Sequence, residues 1–190
     1  INAAKEPPPV EPRGIVLRAS NCEVAGNVIH GVLNPGENFS YGGIYLDLAM
    51  AEISQATGYH QLQVHHNKIF SGQHNGIEIA SDITGLDIEN NQITGMGLNG
   101  IAVQQKVSSV NDLRITGNHI SNCHQLVKDE KWWIYAAIVL TETEGTQIVG
   151  NTIRENGRLA DGFDIWGGFA ERMRATNIAG QQFFNNGGEK

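Results

Sequence analysis

An eight-residue pattern occurs six times along the chain, and a repeat of this kind restricts the fold to a stack of similar units. Its core is an apolar residue, two variable residues, an Asn, one variable residue and a second apolar residue. The copies are 22–29, 62–69, 86–93, 113–120, 146–153 and a degenerate 176–183. A shorter element related to Gly-Ile-x-Leu alternates with it. Its copies are 14–17, 43–46, 76–79, 100–103, 137–140 and 162–165. Both elements have the period-two apolar spacing of β-strands, so each repeat is predicted to hold about three short strands.

The Asn of the longer pattern falls where the chain must turn between two strands. Asn tolerates the left-handed backbone conformation, and its amide can hydrogen-bond to an identical Asn in the next repeat. The pattern therefore predicts a ladder of stacked amides. Strands bent in this way and stacked at about 4.8 Å per coil would bury one apolar face and form a solenoid of about six coils.

These residues resemble the right-handed parallel β-helix of the pectin-lyase-like superfamily, an all-β, single-stranded solenoid. The likeness covers nearly all of residues 14 to 186. A leucine-rich repeat is the rival architecture, because Leu113-x-Ile115-x-x-Asn118-x-Ile120 also fits its core motif. The second Gly-Ile-x-Leu strand argues against that rival. So do the Asn-to-Asn spacings of 40, 24, 27, 33 and 30 residues, which are too irregular for a horseshoe.

The domain organisation follows from the two ends of the repeat. Residues 1–13 contain four of the five prolines and are predicted to be an extended lead-in or linker, and residues 14–190 are predicted to form the β-helix domain. We expect this domain to be part of a larger protein, with flanking domains or copies of itself as partners. The resemblance implies an extracellular or cell-surface location.

Charge and composition exclude several classes of function. The net charge is −7, so the chain lacks the excess of basic residues that is typical of a nucleic-acid binder. No apolar run approaches the length of a membrane span. The two cysteines cannot form a disulfide scaffold. Cys22 occupies an inward column with Leu62 and Leu86, and Cys123 lies several coils away, so no disulfide between them is expected.

The outward residues of the Gly-Ile-x-Leu strands are the first candidates for a site, because alternation predicts that they face solvent. In the enzymes that this chain resembles, the groove over this sheet binds polysaccharide. Tyr45, Asp47, Glu78 and Gln104 make the best polar patch. Asp47 and Glu78 are predicted to lie one coil and two residues apart, about 8 Å, which suits the acid and base of glycoside hydrolysis.

A second candidate is the segment Asp161-Gly-Phe-Asp164-Ile165, which resembles a strand of polygalacturonase-type glycoside hydrolases. The resemblance implies that Asp161 is a catalytic acid, with Asp164 beside it. The chain departs from that family at Leu159-Ala160, which stands where the family has Asn-Thr, and it lacks the Asp-Asp, Gly-His-Gly and Arg-Ile-Lys motifs. One carboxylate without partners cannot complete an inverting mechanism.

Aromatic residues supply further binding candidates, because flat amphipathic rings stack on sugars at low entropic cost. Trp132 and Trp133 lie beside Lys131, and Trp166 would extend their surface.

No metal site is predicted from the seven histidines. His65 and His66 are adjacent, so they are expected to point to opposite faces of a strand and not to chelate one ion together, which disfavours zinc. Calcium held by outward carboxylates is the cofactor that the resemblance implies.

Two hypotheses of function follow. The first is a β-helix domain of a larger secreted or surface protein that binds polysaccharide and cleaves it as a hydrolase or lyase. The second is a non-catalytic structural or adhesive module, such as a stalk, a tailspike segment or a surface repeat. Exposed Trp and acidic residues favour the first hypothesis, and the missing family motifs favour the second.

Overall fold

The computed structural model describes residues 14–31, 43–47, 58–103, 109–123, 137–154, 169–174, 177–180 and 182–184. These residues contain eighteen β-strands and no helix. The strands follow one another in sets of three, and each set is one coil. The six predicted coils are therefore confirmed, and with them the parallel β-helix.

Each coil contributes one strand to each of three faces. The first strands of the coils form the first face and are β1 (Ile15–Leu17), β4 (Ile44–Asp47), β7 (Ile77–Ala80), β10 (Ile101–Val103), β13 (Ile138–Glu144) and β16 (Phe169–Arg174). The second strands form the second face and are β2 (Cys22–Ala25), β5 (Tyr59–His65), β8 (Ile83–Glu89), β11 (Val110–Thr116), β14 (Gln147–Val149) and β17 (Asn177–Ala179). The third strands form the third face and are β3 (Val28–His30), β6 (Lys68–Phe70), β9 (Gln92–Thr94), β12 (His119–Ser121), β15 (Thr152–Arg154) and β18 (Gln182–Phe184).

All of these strands pair in parallel with the same strand of the next coil. The third strands make a six-stranded sheet, and the first and second strands join in a twelve-stranded sheet. The two faces join because β13 is long: its beginning pairs with β10 and its end with β11. Parallel pairing in register stacks equivalent residues, so Leu62, Leu86 and Leu113 lie in one column.

The core lies inside the coils and is filled by columns of branched aliphatic residues. Alternate residues of the strands point inward, and most of them have no more than 1 % of their surface exposed. The inward residues of the middle coils are Leu46, Leu62, Val64, Ile69, Ile77, Ile79, Leu86, Ile88, Ile93, Ile101, Leu113, Ile115 and Ile120. This confirms the period-two assignment of the core, and burial on this scale stabilises by about 25 cal/mol per Å² of apolar surface.

The predicted Asn ladder is present at the turn between the second and third strands. The Nδ2 atoms of Asn27, Asn67, Asn91 and Asn118 each donate to the Oδ1 atom of the Asn in the next coil, over 3.0 Å. From Asn67 onward the Nδ2 atom also donates to a backbone carbonyl of the preceding coil, over 2.8 to 3.0 Å. The amides of Asn67 to Asn151 are buried, and for Asn67, Asn91 and Asn118 these bonds satisfy both Nδ2 donors.

The ladder Asn was predicted to take the left-handed conformation at this turn. In the structure the residue before it takes that conformation instead. Gly26, His66, Asn90, Gly117, Gly150 and Gly180 have φ between 53° and 68°, and the ladder residues do not have positive φ. The reason is that the ladder Asn must aim its amide along the stack, so the change of direction falls one residue earlier. There are two further left-handed columns, one directly after the third strands and one at or near the beginning of the second strands.

A glycine begins most strands of the first face because another side chain occupies the place of its missing Cβ. A Cβ on Gly76 would lie 2.5 Å from Cγ2 of Ile93 and 2.6 Å from the carbonyl oxygen of Gly100. The Gly in Gly-Ile-x-Leu thus allows the first and third strands of one coil to approach closely.

Both cysteines are free thiols. Cys22 is half-buried at the first coil, and Cys123 is fully buried. Burial raises the pKa of the Cys123 thiol to about 12. The expectation that no disulfide joins the two cysteines is confirmed.

Candidate functional site

The first face buries two of the residues that were predicted to face solvent. The register is as predicted, since Tyr45 pairs with Glu78 and Glu78 with Ala102. However, Tyr45 is 6 % exposed and Glu78 is fully buried. The prediction of a solvent-facing patch here is therefore wrong for these two residues. The row is mostly apolar, so covering it is favourable.

Glu78 is a buried carboxylate with a polar partner. Its Oε2 atom lies 3.1 Å from Nδ1 of His74, in the turn that precedes β7. The same nitrogen lies 3.0 Å from Nδ2 of Asn75, whose Oδ1 accepts from the backbone and side chain of Asn99. A charge or polar group of this kind persists inside a protein only when it is hydrogen-bonded. Glu78 is thus tied into a network that links two coils.

The other residues of the predicted patch are described only in part. The backbone of Asp47 ends β4 and pairs with Ala80, which confirms the offset of one coil and two residues from Glu78. The remaining predicted site residues lie outside the described ranges, and their roles stay predictions: Gln104, Lys131, Trp132, Trp133, Asp161, Asp164 and Trp166. The lead-in at residues 1–13 also lies outside.

The second face carries an exposed polar row instead. The residue between the two inward apolar positions of each second strand points outward, and in the first five coils it is Glu23, Gln63, Asp87, Arg114 and Gln147. Parallel register places these side chains side by side along the axis of the solenoid, at about 4.8 Å per coil. Asp87 is half-buried and the others are exposed.

A groove runs over this row. It has a volume of about 610 Å³, and it is lined by Asn21, Cys22, Glu23, Gln61, Leu62, Gln63, Gly85, Asp87, Asp112 and Arg114. One wall is the left-handed column just before β2 and within β5, β8 and β11. In this column Asn21, Gln61 and Asp112 have φ between 52° and 55°, and Gly85 has φ 75°. The left-handed kink in β5, β8 and β11 therefore shapes the groove.

The groove lining contains three carboxylates and one guanidinium, in Glu23, Asp87, Asp112 and Arg114. Nη1 of Arg114 lies 3.7 Å from Oδ1 of Asp87, a distance that gives weak attraction between partly exposed groups. Oε1 of Glu23 lies 2.8 Å from Nε2 of His65. Asp112 is exposed at the far end of the groove. The carboxylates Asp87 and Asp112 belong to neighbouring coils and lie two residues apart, about 8 Å between their backbones.

His65 and His66 do not point to opposite faces, so that prediction is wrong. Their Nδ1 atoms are 2.8 Å apart. His66 has φ 54°, and this left-handed turn brings its ring round to the side of His65. The ring centroids are 5.1 Å apart and the ring planes are nearly perpendicular, at 87°. This is the geometry of an N–H···N hydrogen bond, because a chelated ion would need both lone pairs to converge on a third point.

In the part of the chain that the structure describes, no three His, Cys, Asp or Glu side chains come together in a way that could hold a metal ion. Calcium therefore stays a prediction. Among the same residues no helix is long and apolar enough to cross a membrane.

Sequence reasoning missed the groove residues Glu23, Gln63, Asp87, Asp112 and Arg114. A signal was present in the repeat. The outward position of the second strands is polar in every coil, whereas the outward position of the first strands is often Val, Ala or Tyr. Polar side chains are typical of the solvated face of a sheet, so comparing the two rows would have pointed to the second face.

The stacked parallel strands and the Asn ladder define the class: a right-handed parallel β-helix. The family model described as "Right handed beta helix region" matches residues 51–187, which is well over half of the chain. The chain belongs to this family. A search of curated proteins gave no significant match.

Two solved structures have a similar fold. The Dettilon tailspike protein is 16 % identical with a TM-score of 0.59, over 88 % of this chain and 32 % of that one. The enzymatically active domain of tailspike protein 2 of bacteriophage CBA120 is 13 % identical with a TM-score of 0.53, over 91 % of this chain and 32 % of that one. This chain thus spans about a third of either structure, and at these identities the likeness shows the fold alone.

Proposed function

We propose that this domain binds a polysaccharide along the groove of the second face. The observation that carries the proposal is the outward-facing polar row Glu23, Gln63, Asp87 and Arg114, which repeats with the coils along an open groove. A polymer of sugars presents hydroxyl groups at regular intervals. Carboxylate and amide side chains at regular intervals are suited to accept hydrogen bonds from them.

The backbone of the groove also supports this proposal. Gln61 and Asp112 hold left-handed conformations that glycine would adopt without strain, as Gly85 does in the same column. Backbone strain of this kind is often retained at binding sites. The fold similarity to two tailspike proteins, one of them described as an enzymatically active domain, agrees with a role at a surface outside the cell.

Cleavage of the bound polysaccharide is the finer part of the proposal. The backbones of Asp87 and Asp112 are about 8 Å apart, a spacing from which two carboxyl groups can reach the separation of about 6.5 to 9.5 Å used by inverting glycosidases. Because Glu78 is buried, Asp87 and Asp112 replace Asp47 and Glu78 as the pair of carboxylates to test for catalysis. Asp47, Asp161 and Asp164 stay candidates by resemblance.

A structural or adhesive module is the second candidate function. The observation in its favour is that the first face, which carries the predicted substrate groove, is buried along Tyr45, Glu78, Ala102 and Val139. The buried Asn ladder also makes the solenoid a rigid spacer. This function predicts no retention of any polysaccharide.

The test is retention of the protein on a panel of neutral, acidic and amino polysaccharides, with and without calcium. Gln63→Ala should weaken binding to a retained polymer about two- to tenfold, because it removes an uncharged hydrogen bond. Gln92→Ala is the matched control, since Gln92 is an equally exposed glutamine on the third face. Loss of binding in both variants, or in neither, contradicts the assignment of the groove. No retention by the folded wild-type protein favours the structural module.

Cleavage is measured on the same panel as new reducing ends and as absorbance of unsaturated sugars. Reducing ends without that absorbance indicate hydrolysis, and the absorbance indicates a lyase. For a hydrolase we expect Asp87→Asn and Asp112→Asn each to abolish turnover. Unchanged turnover in both variants would remove these carboxylates from the proposal and leave the binding groove in place.

A further inference from the structure

The charges of the groove define the class of polysaccharide that it accepts. Of its lining residues, Glu23, Asp87 and Asp112 are acidic and Arg114 is basic. The groove therefore carries an excess of negative charge, as does the whole chain with its net charge of −7. A ligand with carboxylate or sulfate groups would meet repulsion over most of the groove.

The basic residue does not offset this repulsion for an acidic ligand. Nη1 of Arg114 lies 3.7 Å from Oδ1 of Asp87, so an acidic sugar that approached the guanidinium would also approach that carboxylate. Asp87 is the more buried of the two, with 30 % of its side chain exposed against 52 % for Arg114. Screening by solvent is therefore weaker around the carboxylate than around the guanidinium.

The acceptors of the groove exceed its donors. Carboxylates accept hydrogen bonds only, and the amides of Asn21, Gln61 and Gln63 both accept and donate. Hydroxyl groups can donate to these acceptors, and an ammonium group adds three donors and a positive charge. A sugar with a free amino group is thus the best chemical complement to Glu23, Asp87 and Asp112.

We propose that the groove selects glycans whose sugars carry free amino groups and no acidic groups. This inference rests on the proposed function, because it names the substrate class of the same groove.

The test compares three oligosaccharides of equal length: a glucosamine oligomer, its N-acetylated counterpart and an oligomer of a uronic acid. The first two share one backbone and differ in the amino group. Binding is measured by calorimetry with the whole chain at low salt and at a pH where the amines are protonated. We expect the glucosamine oligomer to bind about two- to tenfold more tightly than the acetylated one, because exposed ion pairs are individually weak.

Variants assign the preference to the groove. Asp87→Asn and Asp112→Asn should each reduce the preference for the amine, measured as the ratio of the affinities for the two glucosamine oligomers. Asp82→Asn is the matched control: it removes one carboxylate charge outside the groove lining, where Oδ1 of Asp82 accepts from the backbone of Ser109. The preference should persist in this control and should fall as salt is added.

The possible results distinguish failure of this inference from failure of the proposed function. Equal binding of the two glucosamine oligomers, or tighter binding of the uronic acid, overturns the inference and leaves a polysaccharide groove. An amine preference that Asp82→Asn removes as strongly as Asp87→Asn also overturns it, because general attraction to an acidic protein would then be the cause. Failure of all three oligomers and of the wider panel overturns the proposed function itself.

Discussion

Replacing Asn91 by Ala removes a buried amide that four side-chain hydrogen bonds hold in place. Its Nδ2 atom donates to the carbonyl of Val64 over 2.8 Å and to Oδ1 of Asn118 over 3.0 Å. Its Oδ1 atom accepts from the backbone and side-chain nitrogens of Asn67, each over 3.0 Å. The substitution therefore removes one hydrogen bond from each of four groups, and the cost depends on what remains for each of them.

The partners left behind set the magnitude. In Asn91→Ala the backbone N–H of Asn67 loses the acceptor that the ladder supplies, whereas its side chain keeps the bond to Val24. Oδ1 of Asn118 keeps the backbone N–H of residue 91. One buried group left without a partner costs about 1–3 kcal/mol. The three other groups each lose one hydrogen bond, and the shorter side chain leaves a small cavity. Together these changes should lower the free energy of unfolding by about 3–5 kcal/mol. This is a large part of the usual stability of a domain.

Asn27→Ala is the matched control at the first described coil. Asn27 is only half-buried, and its Nδ2 atom donates to Asn67 and to the carbonyl of Ala25. Its backbone N–H still donates to Asn67 after the change. We expect a loss of about 1 kcal/mol, the usual net worth of a hydrogen bond.

Urea unfolding of both variants, followed by circular dichroism, measures the difference. Equal losses in Asn91→Ala and Asn27→Ala would refute the reasoning, because burial of the ladder would then not matter. A loss below about 1 kcal/mol for Asn91→Ala would refute it as well.

Three further predictions concern the core and the groove. Thr146→Val should stabilise the protein by about 1 kcal/mol in urea unfolding, because the buried Thr146 hydroxyl has no hydrogen-bond partner among the residues that the structure describes. Thr152→Val on the third face should change little. Burial raises the pKa of Cys123 from 9.0 to about 12, so unfolding releases its proton above pH 9. The free energy of unfolding of the wild-type protein, compared with that of Cys123→Ala, should therefore fall by about 1.4 kcal/mol for each pH unit above pH 9. A difference between the two proteins that stays constant with pH would contradict this. Gln61→Gly should leave the free energy of unfolding unchanged or raise it by up to about 1 kcal/mol, and it should weaken polysaccharide binding. Ser71 is also left-handed but lies outside the groove lining, so Ser71→Gly should leave binding unchanged.

The architecture was predictable because each coil repeats the same short sequence pattern. Alternation in Leu86-Asp-Ile88 determines which side chains enter the core, and Asn91 occupies the same position as Asn67 and Asn118. A stacked fold uses such equivalence directly, since each coil contacts mainly its neighbours. The sequence therefore contained the coils, the core and the ladder.

Backbone detail at the turns was less accessible. The ladder Asn was predicted to take the left-handed conformation, yet His66 and Asn90 take it one residue earlier. The same shift placed the rings of His65 and His66 on one side. Residue type alone does not determine φ when several residues of a turn tolerate positive values.

The site was predicted on the wrong face for a different reason. Alternation shows that Glu78 lies on the outer side of its strand, and it does not show whether that side is covered. The chemistry of the whole row carries that information: the buried Ala102 and Val139 share the row with Glu78, whereas Gln63 belongs to a row that is polar throughout.

The most direct test of the central claim is a crystal structure of the domain with an oligosaccharide that the panel retains. The account predicts sugar density along the second face, with hydroxyl or amino groups within hydrogen-bond distance of Gln63, Asp87 and Arg114. Sugar bound over the first face, beside Tyr45 and Ala102, or over the third face would contradict it.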